Sequence, residues 1–93
     1  MAFEWDEAKR RTNHAKHGLD FADLEKFDWQ DPLTFADDRK NYGELRLIAL
    51  ANYAGALHAV VFTRRGANVR IISFRRANRK EVKRYEKEKA RPR

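Results

Sequence analysis

The residues able to do chemistry in this chain are above all arginines. Arg64, Arg65, Arg70, Arg75 and Arg76 crowd one stretch, Leu57 to Tyr85, which reads LHAVVFTRRGANVRIISFRRANRKEVKRY. A buried hairpin needs its valines, isoleucines and phenylalanines, but nothing in folding asks for guanidinium groups at its ends. Fixed positive charge of this kind, with weak acids and bases scattered about it, suits the stabilisation of a pentavalent phosphate better than other common chemistries. Alternative chemistries find less support. His14 and His17 stand three apart without an acidic or histidine partner at helical spacing, and His58 lies far along the chain, so no metal site is expected. There is no glycine-rich phosphate loop, and Ser73 lies in an apolar strand without a nucleophile elbow. No cofactor is expected.

Charge is divided unequally along the chain. Of the 93 residues, 1 to 63 hold 8 Lys+Arg and 11 Asp+Glu, a net of −3, whereas 64 to 93 hold 13 Lys+Arg and three acids, a net of +10. A basic half with aromatic residues nearby is the footprint of a nucleic-acid binder, because neutralising phosphates releases counterions. It also steers acidic partners toward that half. Cysteine is absent, no apolar run has membrane-spanning length, and the N-terminus carries acids where a signal peptide needs a basic and then an apolar run. A soluble, cytoplasmic protein without membrane contact is expected, as one domain over 1–93 with a flexible basic tail over 88–93.

The elements that must position the arginines follow from local signals. Phe3-Glu4-Trp5 alternates as a short strand would, Asp6 caps a first helix to about Lys16, and Gly18 closes it. Asp20 caps a second helix to about Trp29, with Phe21, Leu24 and Phe27 in one stripe. Asp31-Pro32 ends it, Leu33 to Ala36 is a short strand, and residues 37 to 43 form a polar connection. Leu45 to Tyr53, Leu57 to Arg64 and Val69 to Arg75 then make an antiparallel meander turning at Gly55 and Gly66. Asn78 with Glu81 three residues on marks the start of a last helix. The expected fold is a small α+β domain: two N-terminal helices on one side of an antiparallel sheet of three to five strands, plus a C-terminal helix.

Strict alternation puts His58, Val60, Phe62 and Arg64 on one face, opposed to Leu57, Ala59, Val61 and Thr63. In the next strand Val69, Ile71, Ser73 and Arg75 oppose Arg70, Ile72, Phe74 and Arg76. Both faces are partly apolar, and the arginines emerge at strand ends beside the last helix.

Segments in order along nearly the whole chain carry a resemblance: FEWDEAKRRTNHAKHGLDFADLEKFDWQDPLTF, then GELR, then AVVFTRRGANVRIISFRRANRKEVKRYE. The WD-x-x-K opening, KHG before a capped segment, G-E-x-R at a strand entry, VV-x-T-x-R, RIIS-x-R and the x-x-x-E-x-x-x-Y helix resemble the BrnT family, the toxin half of a bacterial type II toxin–antitoxin pair. The resemblance implies a RelE-like fold and RNA cleavage. It implies a BrnA-like ribbon-helix-helix antitoxin as partner, with operator DNA met only through the antitoxin complex. Phe74 stands where a small residue is common and Arg64 where an acid or other polar residue is often seen. Phe74 reads as core, with base stacking as the alternative.

Carried over residue by residue, the resemblance singles out Lys9, His17, Glu44, Arg46, Arg65, Ser73, Arg75, Arg76, Glu81 and Tyr85. The catalytic set it implies is Arg65, Arg75, Arg76, His17, Glu44 and Tyr85, with Lys9, Arg46, Arg64, Arg70, Arg79 and Lys83 as RNA contacts. The implied mechanism is metal-free attack of a ribose 2′-hydroxyl on the adjacent phosphorus, leaving a 2′,3′-cyclic phosphate and a 5′-hydroxyl. His17, Glu44, His58 and Tyr85 all stand as acid or base, and a helix C-terminus at His17 is expected to favour its charged form. Glu81 reads first as the return partner of the Asn78 cap. Two other function classes fit the composition: a non-catalytic nucleic-acid-binding module, and an interaction protein whose basic face only receives an acidic antitoxin segment.

Overall fold

The computed structural model describes residues 2–90. In chain order they form β1 (Ala2–Glu4), α1 (Glu7–His17), a 3₁₀ segment (Phe21–Lys26), β2 (Leu33–Ala36), β3 (Leu47–Tyr53), β4 (Ala56–Arg65), β5 (Asn68–Arg76) and α2 (Arg79–Lys89). The strands make one sheet in the order β1-β5-β4-β3-β2. β2 to β5 form the expected antiparallel run, but β1 joins β5 in parallel, so the sheet is mixed. The α+β fold stands with that correction. No helix of the described residues is long and apolar enough to cross a membrane.

The second N-terminal helix is a 3₁₀ segment instead. Its apolar residues Phe21, Leu24 and Phe27 recur every third position, a period that fits three residues per turn better than 3.6. Asp20 accepts a hydrogen bond from Ala22 N at its start, and Phe27 N closes onto Leu24 O at its end. These three side chains are buried with Val60, Phe62, Val69, Ile71 and Phe74 on one face of the sheet. α2 lies over the other face, where Tyr85 packs on a cluster of Ile48, Leu50, Ala59 and Val61. It also reaches further than the tail expectation allowed, for Lys89 is still helical and pairs with Asp31 at 2.8 Å. Residues 91–93 lie outside the described residues.

Alternation fails in β5, and the failure matters for function. Val61 pairs with Ser73 and Phe62 with Ile71, leaving Ile72 without a partner: a β-bulge. Phe74 therefore joins Val69 and Ile71 on the 3₁₀ side, fully buried against Tyr53, His58 and Phe27. Burial removes Phe74 as a base-stacking surface. Ser73 and Arg75, opposite Val61 and Ala59, are turned to the face that carries α2.

α1 needs another explanation, because its one buried residue is a polar one, Asn13. Asp6 caps its first turn, accepting from Ala8 N at 2.7 Å, and Gly18 at φ 70° ends it by donating to His14 O. What docks the helix is the Asn13 amide. It donates to Phe74 O (2.8 Å) and Leu19 O (3.2 Å) and accepts from Phe74 N (3.1 Å), standing in for a strand neighbour where β1 no longer covers β5. Arg10 adds a two-pronged pair with Asp20, at 2.7 and 2.9 Å, and holds that carboxyl down at about 2.

Candidate active site

With α1 held along the bulged edge of β5, the two elements enclose a cleft of about 510 Å³. Lys9, Thr12, Lys16 and His17 line it from the helix, and Ser73 from the strand. Spacing explains the helical wall: 9, 12 and 16 recur at steps of three and four, which is one stripe of an α-helix. The stripe carries two ammonium groups, a hydroxyl and, beside it, an imidazole. His17 is half-buried. Burial first, then the charges of Lys16 and Arg75, push its pKa below the ordinary histidine value. The helix C-terminus does not win: the shift favours the neutral imidazole, contrary to the expectation of a charged form.

Arg75 is not in the cleft's lining but lies one residue beyond Phe74, on the face of Ser73, where its charge acts on His17. Its guanidinium meets Glu81 head on, Nη1 donating to Oε1 at 2.7 Å and Nη2 to Oε2 at 2.9 Å, while Nη1 also donates to Arg76 O at 3.3 Å. Glu81 is at the same time the return partner in the expected Asn78 capping box, accepting from Asn78 N at 2.9 Å. Burial raises the Glu81 carboxyl, but the hydrogen bonds from Arg75 and Asn78 outweigh it and hold the pKa below its ordinary value. The group is an anion between the sheet and α2.

A cleft that combines lysines with an imidazole, within the electrostatic reach of a fixed arginine, is equipped for phosphate chemistry. From residue 5 to residue 81 the chain matches the family described as ribonuclease toxin, BrnT, of type II toxin-antitoxin system. The chain belongs to the BrnT family. As a BrnT toxin it is a ribonuclease with RNA as substrate and a cognate antitoxin as partner. No curated protein matches it. The matched span contains both walls of the cleft and ends on Glu81.

Other expected site residues of this BrnT toxin lie elsewhere. Arg65 pairs with Asn68 at the hairpin turn, whereas Arg75 pairs with Ala59 and Arg76 with His58 at the far end. Seven residues of strand, roughly 23 Å at 3.3 Å each, separate the two groups. Arg65 instead joins Glu44 at 3.6 Å, and Arg46 reaches the same carboxylate at 3.6 Å while stacking on the Tyr42 ring at 4.0 Å. Arg64 is exposed beside this patch, and Arg70 pairs with Glu4 at 3.0 Å near the β1 edge. Arg76, Arg79 and Lys83 are exposed around the start of α2, and Lys9 is exposed on α1. Tyr85 packs under α2 and not in the cleft. His58 is buried, its Nδ1 donating to Ala56 O at 2.9 Å between Tyr53 and Phe74, which leaves it no access to substrate.

Sequence reasoning passed over Thr12, Lys16, Asn13 and Asp37. The first two follow from the helical stripe that Lys9 begins. Asn13 shows no signal beyond being a lone amide in the middle of a helix. Asp37 is buried, accepts from Arg39 Nε and Nη2 and from the Tyr42 hydroxyl, and so builds the Tyr42–Arg46 patch from what reads as a polar connection. Among the described residues no three His, Asp or Glu side chains gather as metal ligands would.

Proposed function

We propose that this BrnT toxin is an endoribonuclease that cleaves without a metal ion, in the cleft between α1 and the bulge of β5, by attack of a ribose 2′-hydroxyl on the adjacent phosphorus. The observation that carries the reading is the gathering of His17, Lys9 and Lys16 in one cleft, with Arg75 near enough for its charge to lower the His17 pKa. His17 takes the 2′-hydroxyl proton as the bond from the 2′-oxygen to phosphorus forms. The bond from phosphorus to the 5′-oxygen breaks, and an ammonium from Lys9 or Lys16 protonates the departing oxygen, leaving a 2′,3′-cyclic phosphate and a 5′-hydroxyl. Arg75 carries the charge gathering on the phosphoryl oxygens. Arg76, Arg79 and Lys83 on one side and Arg65, Arg46, Arg64 and Arg70 toward the hairpin turn extend the contact to flanking phosphates. Cleavage takes place in the cytoplasm and arrests growth. A BrnA-like ribbon-helix-helix antitoxin neutralises it, and operator DNA is met only through that complex.

The test is Arg75→Lys. Arg75→Ala is unsuitable, because it leaves the nearly buried Glu81 carboxylate unpaired, at a cost of several kcal/mol. Lysine keeps the charge and loses the planar fork. Cleavage of a short RNA should fall about 100-fold with folding retained, as expected when a preorganised donor is lost. A folded Arg75→Lys protein that cleaves RNA and stops growth as the wild type does would move the site elsewhere.

A further inference from the structure

Guanidinium carries five N–H donors in a plane, and in Arg75 three of them are spoken for. The head-on fork, one hydrogen from each Nη, is given to Glu81, and a second hydrogen of Nη1 goes to Arg76 O. What remains is Nε–H and the outer hydrogen of Nη2, which lie side by side on one edge of the plane. That edge is a second fork with the spacing of two phosphoryl oxygens. The Arg75 side chain keeps 16 % of its surface exposed. Among the described residues Arg46 Nε is the buried side-chain nitrogen without a hydrogen bond, and Arg75 Nε, which makes none either, is not buried in that way.

We propose that Glu81 is a positioning residue for RNA cleavage: it grips the head-on fork of Arg75 so that the lateral fork is held fixed for one phosphate group. The proposal rests on Arg75 being the residue that holds the phosphate. Glu81 is suited to the task because it is itself immobilised. It is 8 % exposed, fixed by the capping hydrogen bond from Asn78 N, and built into the first turn of α2. Arg75 has no comparable restraint of its own, since an arginine side chain has several freely rotating bonds, and holding it costs entropy that would otherwise be lost in each turnover. The arrangement trades attraction for geometry. Glu81 cancels part of the positive charge that a bound phosphate feels, so its contribution appears in the rate and not in ground-state affinity.

The substitution that tests this is Glu81→Gln, which keeps the capping box, because glutamine serves at that position, and removes the charge that holds the fork. With purified toxin and a short RNA, kcat per folded molecule should fall about 10- to 100-fold while KM stays level or drops. Glu81→Asp, with the charge kept but the reach shortened, should also lower kcat, and it serves where the glutamine variant does not fold. If Glu81 acts through Arg75 alone, Arg75→Lys/Glu81→Gln should be no slower than Arg75→Lys. A purely structural role predicts instead a lowered melting temperature with wild-type kcat per folded molecule, and that result overturns the proposal. So does an additive loss in the double variant. An inactive Arg75→Lys beside a fully active Glu81→Gln sinks only this inference, whereas a fully active Arg75→Lys sinks the parent reading.

Discussion

Replacing Asn13 by alanine should do more damage than any other single change on α1. The amide satisfies both backbone groups of Phe74, through hydrogen bonds of 2.8 and 3.1 Å, and a third group at Leu19 O. Alanine leaves the Phe74 N–H and C=O unpaired in a buried place, each at about 1–3 kcal/mol. Water reaches the open edge of β5 once the amide is gone and recovers part of this, so a net loss of about 2–4 kcal/mol is expected. For a domain of this size that is roughly 10–25 °C in melting temperature. Urea unfolding followed by the fluorescence of Trp5 and Trp29, both packed on the first core, measures it. Asn13→Asp keeps the acceptor for Phe74 N but turns a second carboxylate oxygen toward Phe74 O and Leu19 O, so at pH 7 it should be at least as harmful. An Asn13→Ala protein within about 0.5 kcal/mol of the wild type would refute the idea that this amide docks α1, because ordinary surface changes stay within that range.

Asp37 gives a pH-dependent counterpart. Hydrogen bonds from Arg39 hold its carboxyl at about 2 in the folded chain against an ordinary value of 3.8. The folded value is the lower one, so the contribution is complete above pH 3.8 and is lost as pH falls toward about 2. The full gap corresponds to about 2.4 kcal/mol, and the exposure of Arg39 to water reduces it to about 1–2 kcal/mol. Asp37→Asn should therefore be less stable at neutral pH and converge with the wild type near pH 2 in acid titrations of stability. At the hairpin end, Arg65→Ala should weaken RNA binding and lower the slope of log affinity against log salt by about one, with kcat retained, because Arg65 lies far from the cleft. A kcat loss like that of Arg75→Lys would place Arg65 in the chemistry after all.

Much of the frame is legible in the residues because it depends on local chemistry. Asp6 and Gly18 mark α1, Asn78 and Glu81 mark α2, and Gly55 and Gly66 mark the turns. Other features depend on packing that residue types do not announce. The Ile72 bulge is hidden because Ile71, Ile72 and Phe74 are apolar on both sides of the alternation, and with it the direction of Arg75. The parallel pairing of β1 is a long-range contact of three residues. Arg65 and Arg75 look like one cluster because both flank strands, yet hairpin register sends them to opposite ends. That His17 and Lys9 share one helix is legible in the residues. The lowered pKa of His17 is not, because it depends on burial in the folded chain and on Arg75, which lies 58 positions away in the sequence.

The most direct test of the central claim is the pH dependence of single-turnover RNA cleavage in EDTA, with the product ends identified, for the wild type and His17→Asn. With His17 as a neutral base, the wild-type rate should rise with pH through a midpoint below 6.5 and then level off, leaving 2′,3′-cyclic phosphate and 5′-hydroxyl ends. His17→Asn should lose about 100-fold or more and the pH step with it. Loss of wild-type cleavage in EDTA, or an unchanged rate and pH profile in His17→Asn, would contradict the account.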